Sequence, residues 1–267
     1  MLKDITLGQF FPGSTVVHRL DPRTKLISTL VFIVLIFLCS TPLTLALMAA
    51  TLAFCVAISR IPPKALFKGL KPLMLIVILT GFLNLFYTDG RTLAEFWIFR
   101  ITYEGVNRAI LMVMRIVLLV CGTFLLTYTT SPLAITDGLE MLLAPLKKVH
   151  FPVHELAMMM SIALRFIPTL IEETDKIMSA QKARGADFDS GSLLRRAKAL
   201  LPIMVPLFVS AFRRADELAT AMECRCYHGG EGRTRMKVFT IRRADILAFV
   251  FWAVITAAMI ILKVWGI

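Results

Sequence analysis

Apolar residues dominate the first half of the chain in runs long enough to cross a bilayer. A helix needs roughly 17–25 apolar residues to span the hydrocarbon core. Residues 26–58 exceed that length, and Ser40-Thr41-Pro42 interrupts them. Two interpretations are possible: a pair of short helices joined by a tight turn, or one kinked helix. With the pair adopted, the predicted spans of this half are residues 26–39, 43–59, 72–87 and 106–130.

The distribution of basic residues favours the pair of helices. Lys and Arg are concentrated in residues 1–25 and again in residues 60–71, and such segments stay on the cytoplasmic side of a membrane. Only an even number of crossings between them places both there. By the same rule the loop at 88–105, with two basic against three acidic residues, is predicted to be external. Arg115 lies deep in the fourth span, where it is either functional or bonded to a carbonyl of a neighbouring helix.

Residues 131–243 follow a different pattern. They hold 17 of the 30 Lys and Arg residues of the chain, yet their apolar residues recur at helical spacing. Amphipathic helices are predicted over 133–146, 154–184 and 193–225, the first with Ser131 as its N-cap. Long basic helices of this kind lie in the membrane interface or bind another helix. Bends are expected at prolines inside the two longer helices, Pro168, Pro202 and Pro206.

A last apolar run at 245–265 adds a fifth span. The sequence therefore predicts an all-α, polytopic integral membrane protein with about five transmembrane helices and a region of long amphipathic helices. We expect a transmembrane region at 1–130, a cytoplasmic region at 131–243 and a C-terminal transmembrane helix at 244–267. The N-terminus is then cytoplasmic and the C-terminus extracytoplasmic, in a multi-pass protein of the cell membrane.

Composition and charge agree with a membrane protein. The chain is 57% hydrophobic, whereas soluble domains are about 45–50% apolar. Its net charge of +12 follows the predicted topology, so nucleic acid is not expected as a partner. Three of the five cysteines lie in apolar runs and behave as small hydrophobic residues, and no disulfide framework is expected. The first twenty residues lack a clean apolar core, so a cleaved signal peptide is not expected either.

Sequence patterns for catalysis are missing. The chain contains no GxxxxGK[ST] phosphate-binding loop, no HExxH and no GxSxG. Two weak metal patterns occur: His150 with His154, which a proline separates, and Cys224-x-Cys226-x-His228, which has no fourth ligand nearby. We therefore expect a protein that is not an enzyme and has no cofactor and no bound metal.

Two fragments each place an arginine at the end of a long helix. Lys182-Ala183-Arg184-Gly185 closes the second amphipathic helix, with Gly185 expected at the C′ position. Glu223-Cys224-Arg225-Cys226-Tyr227 closes the third, and His228-Gly229-Gly230 is expected to end it. The helix dipole alone explains one such arginine. Two of them, in a chain without its own ATPase, predict docking points for a paired partner, because a guanidinium fork bonds two acceptors at once.

With these motifs the chain resembles the transmembrane T component (EcfT family) of energy-coupling factor (ECF) transporters, which are ABC-type importers of vitamins and metal ions. In that family both arginine motifs read Ala-Arg-Gly, whereas the second one here reads Cys224-Arg225-Cys226. The resemblance covers nearly the whole chain and rests on His18-Arg19-Leu20-Asp21-Pro22-Arg23-Thr24-Lys25, Leu164-Arg165-Phe166-Ile167-Pro168, Ala183-Arg184-Gly185 and Ala221-Met222-Glu223.

The resemblance implies a non-catalytic transmembrane scaffold with two kinds of partner. Two cytoplasmic ABC ATPases would dock on the arginine motifs, and the amphipathic helices would hold a membrane-embedded substrate-binding S component that ATP hydrolysis moves. The alternatives are a membrane scaffold without a transport role and a lipid-modifying enzyme. The sequence does not name the transported substrate. The residues implied in ATPase coupling are Ala183, Arg184, Gly185, Glu223, Cys224, Arg225 and Cys226.

Overall fold

The chain folds into two compact units. One, here the bundle unit, comprises residues 8–138 and 238–267, and the other, here the helix-pair unit, is built from residues 139–237. The structure is a computed structural model, and it describes residues 10–96, 99–186, 188, 192, 198–229 and 239–265.

Helices account for nearly all of the described secondary structure. In chain order they are α1 (Val16–Arg19), α2 (Pro22–Leu38), α3 (Pro42–Ser59), α4 (Pro63–Leu70), α5 (Met74–Tyr87), α6 (Tyr103–Thr129), α7 (Pro132–Leu143), α8 (Val153–Ala183), α9 (Leu201–Glu223) and α10 (Arg243–Val264). Short 3-10 turns at Lys71–Leu73 and Ala144–Val149 connect α4 to α5 and α7 to α8.

The first apolar run forms two helices, as favoured from the sequence. α2 ends at Leu38, and Cys39 after it is extended. Thr41 is also extended, and its side chain accepts the backbone N–H of Thr44 at 3.4 Å, which caps α3. Pro42 occupies the first turn of α3, where its missing N–H costs nothing. The single kinked helix is therefore wrong.

The core of the bundle unit lies where α2 and α3 pack on α6, with α10 against α2. Its fully buried side chains include Ile36, Met48 and Tyr128. Gly122 lets the ring of Phe32 approach α6 closely, because a Cβ at that position would lie 2.2 Å from the ring. This close approach fixes how α2 and α6 pack.

Arg115 has a structural partner. Its Nη2 donates to the carbonyl oxygen of Cys39 at 2.6 Å, and Cys39 is the C-cap of α2. A cation at the C-terminal end of a helix both pairs with the helix dipole and satisfies a carbonyl that has no partner within the helix. The carbonyl interpretation of this residue is therefore confirmed.

The loop between α5 and α6 contains a feature that the sequence did not predict. Residues Thr92–Phe96 (β1) and Phe99–Thr102 (β2) pair as an antiparallel hairpin, with Thr92 opposite Thr102 and Glu95 opposite Arg100. Thr102 then caps α6, because its Oγ1 accepts the N–H of Gly105 at 3.0 Å. The hairpin shapes the connection without changing the all-α class of the fold.

The helix-pair unit contains the two longest amphipathic helices of the sequence pattern. α8 has 31 residues with Pro168 inside, and α9 has 23 residues with Pro206 inside. Pro202 was expected inside a helix and instead lies in the first turn of α9, where proline is well tolerated. Residues 193–197, the predicted start of that helix, lie outside the described residues.

Within the described ranges, five helices are long and apolar enough to cross a membrane, which confirms a polytopic helical membrane protein. They are Pro42–Ser59, Pro63–Tyr87, Tyr103–Thr129, Val153–Ala183 and Arg243–Val264. α2 is apolar but only 17 residues long, and α8 belongs to the region predicted to be cytoplasmic. That cytoplasmic assignment stays a prediction. The bounds of α2, α3, α5, α6 and α10 differ from those of the five predicted spans by at most four residues.

Candidate functional site

The first arginine lies at a regular helix end. Arg184 is the C-cap of α8, and Gly185 follows it with φ +87°. The N–H of Ala186 donates to the carbonyl of Gln181 at 3.0 Å, and the N–H of Gly185 donates to that of Lys182 at 3.0 Å. These two bonds define a Schellman motif, so Gly185 is the C′ residue that the sequence predicted.

The second arginine lies at a helix end of the same kind. The N–H of Tyr227 donates to the carbonyl of Met222 at 3.0 Å, and that of Cys226 donates to Glu223 at 2.8 Å. Cys226 has φ +56°, so it takes the place that Gly185 takes in the first motif, and Arg225 corresponds to Arg184. The helical conformation therefore ends before Cys226, and the prediction that His228-Gly229-Gly230 ends the helix is wrong.

The two ends differ in backbone strain and agree in exposure. A left-handed conformation costs a residue other than glycine roughly 1–2 kcal/mol, so Cys226 carries a strain that Gly185 avoids. Both Arg184 and Arg225 are exposed, and so is each motif residue preceding them, Ala183 and Cys224. Glu223 is the last residue of α9 and supplies a carbonyl to the cap. Each helix thus presents one solvent-accessible guanidinium beyond its last turn.

A polar cluster joins α8 to α9. Glu173 on α8 accepts a hydrogen bond from the Ser210 hydroxyl at 2.6 Å and a second, charged one from the Arg214 guanidinium, both on α9. Further along, the Gln181 side-chain amide donates to the carbonyl of Pro202 at 3.3 Å. Gln181 lies nearer the end of α8 than Glu173 does, and its partner Pro202 lies nearer the start of α9 than Ser210 and Arg214 do. The two helices therefore run in opposite directions.

This arrangement separates the two arginines. Arg184 lies 11 residues after Glu173, and Arg225 lies 11 residues after Arg214. At 1.5 Å per residue each arginine is roughly 16 Å from the cluster along its own helix. Because the helices are antiparallel, the two guanidinium groups lie on opposite sides of the contact.

The sequence did not single out this cluster. Glu173 and Arg214 each lie among several charged residues of a predicted amphipathic helix, and no motif marks either of them. The sequence does contain one indication of the cluster. The acidic Glu173 precedes Arg184 by the same number of residues as the basic Arg214 precedes Arg225.

The apolar faces of the helix pair are exposed. Met and Phe side chains are prominent among them, including Met159 and Met160 on α8 and Phe208 and Phe212 on α9. The rings of Phe208 and Phe212 lie 5.1 Å apart, one turn from each other. Flexible Met and large aromatic residues suit a surface that another apolar helix covers.

The weak metal patterns have other surroundings in the structure. Nδ1 of His154 lies 3.0 Å from a carboxylate oxygen of Glu140. Cys224 and Cys226 are exposed free thiols. Among the described residues, no group of three or more His, Cys, Asp or Glu side chains is arranged to hold a metal ion.

The fold and these helix ends define the class, a multi-pass helical membrane protein with a pair of long amphipathic helices. Comparison with known proteins gives the family. The profile of the cobalt transport protein family, CbiQ, matches residues 13–238. The energy-coupling factor transporter transmembrane protein EcfT of Ruminiclostridium cellulolyticum is 51% identical over 267 residues, which cover 100% of this chain and 97% of that protein. The protein of the same description from Thermosediminibacter oceani is 54% identical over 249 residues, 93% of this chain and 94% of the relative.

A third relative gives the same result. The EcfT protein of Bacillus subtilis is 48% identical over 264 residues, 98% of this chain and 100% of the relative. The chain belongs to the family of energy-coupling factor transporter transmembrane proteins. The resemblance found in the sequence is confirmed, and the chain is a non-catalytic transmembrane component of a transporter.

Proposed function

We propose that this protein couples two cytoplasmic ABC ATPases to a membrane-embedded, substrate-binding S component in an ECF importer. The observation that carries the proposal is the pair of equivalent helix ends, each with an exposed arginine before a left-handed residue. A repeated local geometry suits a partner that is itself paired. The planar fork of each guanidinium suits acceptors in a groove of each ATPase.

The antiparallel helix pair supplies the mechanical link. When the ATPases close on ATP, the two arginines are drawn with them, and the helices move about the Glu173 cluster. The segments between the cluster and the arginines contain no proline, so they transmit the movement without a built-in bend. The exposed Met and Phe faces hold the S component and shift it as they repack. Vitamins and metal ions are the substrate classes that fit this function.

The proposal places residues 131–243 and the N-terminus in the cytoplasm and the C-terminus outside. The 17 Lys and Arg residues of this region support the assignment. α8 is the least apolar of the five membrane-length helices. A helix that has its apolar side in the bilayer interface and its charged side in water accounts both for the basic residues of this region and for the lower hydropathy of α8.

Substitution of the two arginines tests the proposal. Truncating one member of a buried, hydrogen-bonded charge pair costs about 2–5 kcal/mol, so Arg184→Ala or Arg225→Ala alone should weaken ATPase binding and slow uptake. The double variant should release the ATPases and leave the protein in the membrane. Arg184→Lys should also be impaired, because an ammonium cannot bond two acceptors in the same plane. The measurement is co-purification of the ATPases with the tagged chain, together with substrate uptake by cells.

Two exposed arginines within the same helices provide matched controls. Arg165 lies inside α8 and Arg213 inside α9, and the double Arg165→Ala, Arg213→Ala variant removes the same charge without touching a helix end. It should keep its ATPases. If the Arg184→Ala, Arg225→Ala variant also keeps them and transports normally, the arginines are ordinary basic helix ends and the proposal is wrong.

A further inference from the structure

A half-open apolar cleft of about 440 Å³ lies in the bundle unit among α1, α2, α3, α6 and α10. Its apolar lining includes Phe32, Leu52, Leu125, Phe251 and Trp252. An apolar cavity of about 150 Å³ accommodates benzene, so this cleft has room for a hydrocarbon of roughly eighteen carbons. That is the size of one acyl chain of a membrane lipid.

One end of the cleft holds a buried cation. Lys25 lines the cleft and is only 6% exposed. Its Nζ donates to the carbonyl oxygens of His18 at 3.0 Å and Thr129 at 2.9 Å. An ammonium has three N–H donors, and within the described ranges the third has no acceptor. Leaving such a donor unpaired in an apolar site is unfavourable, so the site favours an anionic or polar acceptor in addition to those that the described residues supply.

Further cations lie next in the chain to residues that line this end, since Leu20 and Ala244 are both part of the lining. The backbone N–H of Asp21 donates to Oδ1 of the fully buried Asp245 at 2.8 Å, which brings the starts of α2 and α10 together. The exposed Arg19 precedes α2, and the exposed Arg243 opens α10. Arg23 and Arg242 lie beside them in the chain, so four arginines and one lysine stand against two carboxylates.

The neighbouring carboxylates offset only part of this positive charge, two negative charges against five positive ones. Asp21 pairs with Arg23 at 3.7 Å, and the two oxygens of Asp245 accept the backbone N–H groups of Asp21 and Arg242. Burial, followed by the Lys25 ammonium, lowers the pKa of His18, so the imidazole is neutral at pH 7 and adds no charge. The cleft therefore combines a hydrocarbon-sized apolar cavity with a cationic mouth.

We propose that the cleft binds one anionic phospholipid. An acyl chain lies along Phe32 and Trp252, and the phosphate accepts from Lys25 and from the arginines at the mouth. α2 and α10 begin at this end of the cleft and α3 and α6 finish there, so the headgroup lies at one membrane surface, at headgroup depth. A zwitterionic lipid also carries a phosphate, but its own headgroup cation balances that phosphate and leaves the surplus positive charge of the mouth uncompensated. The site is independent of the proposed coupling role.

Fluorescence of Trp252 tests the site, since this residue lines the cleft. The chain has three tryptophans, and replacing Trp97 and Trp265 by Phe leaves Trp252 as the sole emitter. The full chain is reconstituted in phosphatidylcholine vesicles with a low mole fraction of lipid brominated on its acyl chains. We expect brominated phosphatidylglycerol to quench Trp252 at a roughly tenfold lower fraction than brominated phosphatidylcholine, because only phosphatidylglycerol brings a net negative charge to the cationic mouth.

Variants separate a specific site from general contact with lipid. Ala248 lines the cleft, so Ala248→Phe fills it and should abolish the preference for the anionic lipid, whereas Ala253→Phe, exposed on the same helix, should not. Arg19→Gln with Arg243→Gln should weaken the preference, and the exposed Lys64→Gln should leave it unchanged. Equal quenching by the two lipids, or a preference that survives Ala248→Phe, would mean annular lipid only and would overturn the proposal.

Discussion

Cys226 is the residue at which the second helix end departs most from the first. It adopts φ +56°, a conformation in which a side chain is strained, whereas Gly185 adopts φ +87° without that cost. Nevertheless both ends make the same pair of cap hydrogen bonds. Sequence identity at the motif is therefore not required for the cap geometry, although it changes the stability of the cap.

This difference predicts opposite responses to substitution. Cys226→Gly should stabilise its helix end by about 1 kcal/mol and slow hydrogen exchange of the Tyr227 amide about fivefold, because the left-handed strain is removed. Gly185→Val should loosen the first end and speed exchange of the Ala186 amide. Cys224→Ala is the control, since Cys224 has φ −58° and no strain to relieve. Identical exchange in Cys226→Gly and the parent chain would contradict the prediction.

The sequence predicted the residue-scale geometry at one end and not at the other. Gly185 was assigned correctly because glycine is the residue that most often follows a helix in the left-handed conformation. The same rule pointed to Gly229 at the second end, and Gly229 does have φ +96°, but the chain has already turned at Cys226. Cysteine carries no signal for that conformation, and only the backbone shows it.

At the scale of the elements, the contact between α8 and α9 determines what the helix pair can do. Glu173 is engaged by two groups of α9, yet its side chain is 23% exposed and that of Arg214 is 34% exposed. An ion pair with this exposure contributes on the order of 1 kcal/mol or less to the free energy of unfolding. The cluster therefore serves to set the register of the two helices more than to stabilise the fold.

A substitution there should separate coupling from docking. Glu173→Gln removes the charge that faces Arg214 and leaves both motif arginines intact, so the ATPases should still co-purify while substrate uptake falls. The uptake of Arg214→Gln should be reduced as well, and the double variant should be little worse than either single one. Glu172→Gln, a neighbouring exposed carboxylate, is the control. Normal uptake by Glu173→Gln, or parallel loss of the ATPases, would contradict this role.

The lengths of the helices were largely predictable from the sequence, whereas the contacts between them were not. Helical spacing of apolar residues predicted α8 within a residue at each end, and Pro42 predicted the break between α2 and α3. The Glu173 contacts join positions 37 and 41 residues apart on polar faces, which periodicity does not address. The β1–β2 hairpin was also missed, because its residues lie in a segment that was interpreted only through its charges.

For the whole molecule, the orientation in the membrane is the main prediction. Asp89 precedes the hairpin and Lys147 lies between α7 and α8, and both are exposed. In a cysteine-free background, Asp89→Cys should react with an impermeant thiol reagent in intact cells, because the loop poor in basic residues is external. Lys147→Cys should react only after the cells are permeabilised. Reaction of Lys147→Cys but not Asp89→Cys in intact cells would reverse the topology.

Long-range packing of the bundle unit was the part least accessible from the sequence. Asp21 and Asp245 are 224 residues apart, and the sequence pattern predicted no contact between them: Asp21 and Lys25 belong to the N-terminal motif of the resemblance, and Asp245 begins the last apolar run. In the structure these groups meet, and they create the polar end of the cleft. Hydropathy places such residues near a membrane surface and contains no information on which helices are neighbours.

The equal spacing between cluster residue and motif arginine on α8 and α9 limits the insertions and deletions that the gene can tolerate. Eleven residues are close to three turns, so Arg184 faces the same side of α8 as Glu173, and Arg225 the same side of α9 as Arg214. Losing or gaining a single codon within 174–183 or 215–224 would rotate the arginine by about 100° around the helix axis. Residues in these two stretches can therefore be exchanged far more freely than their number can change.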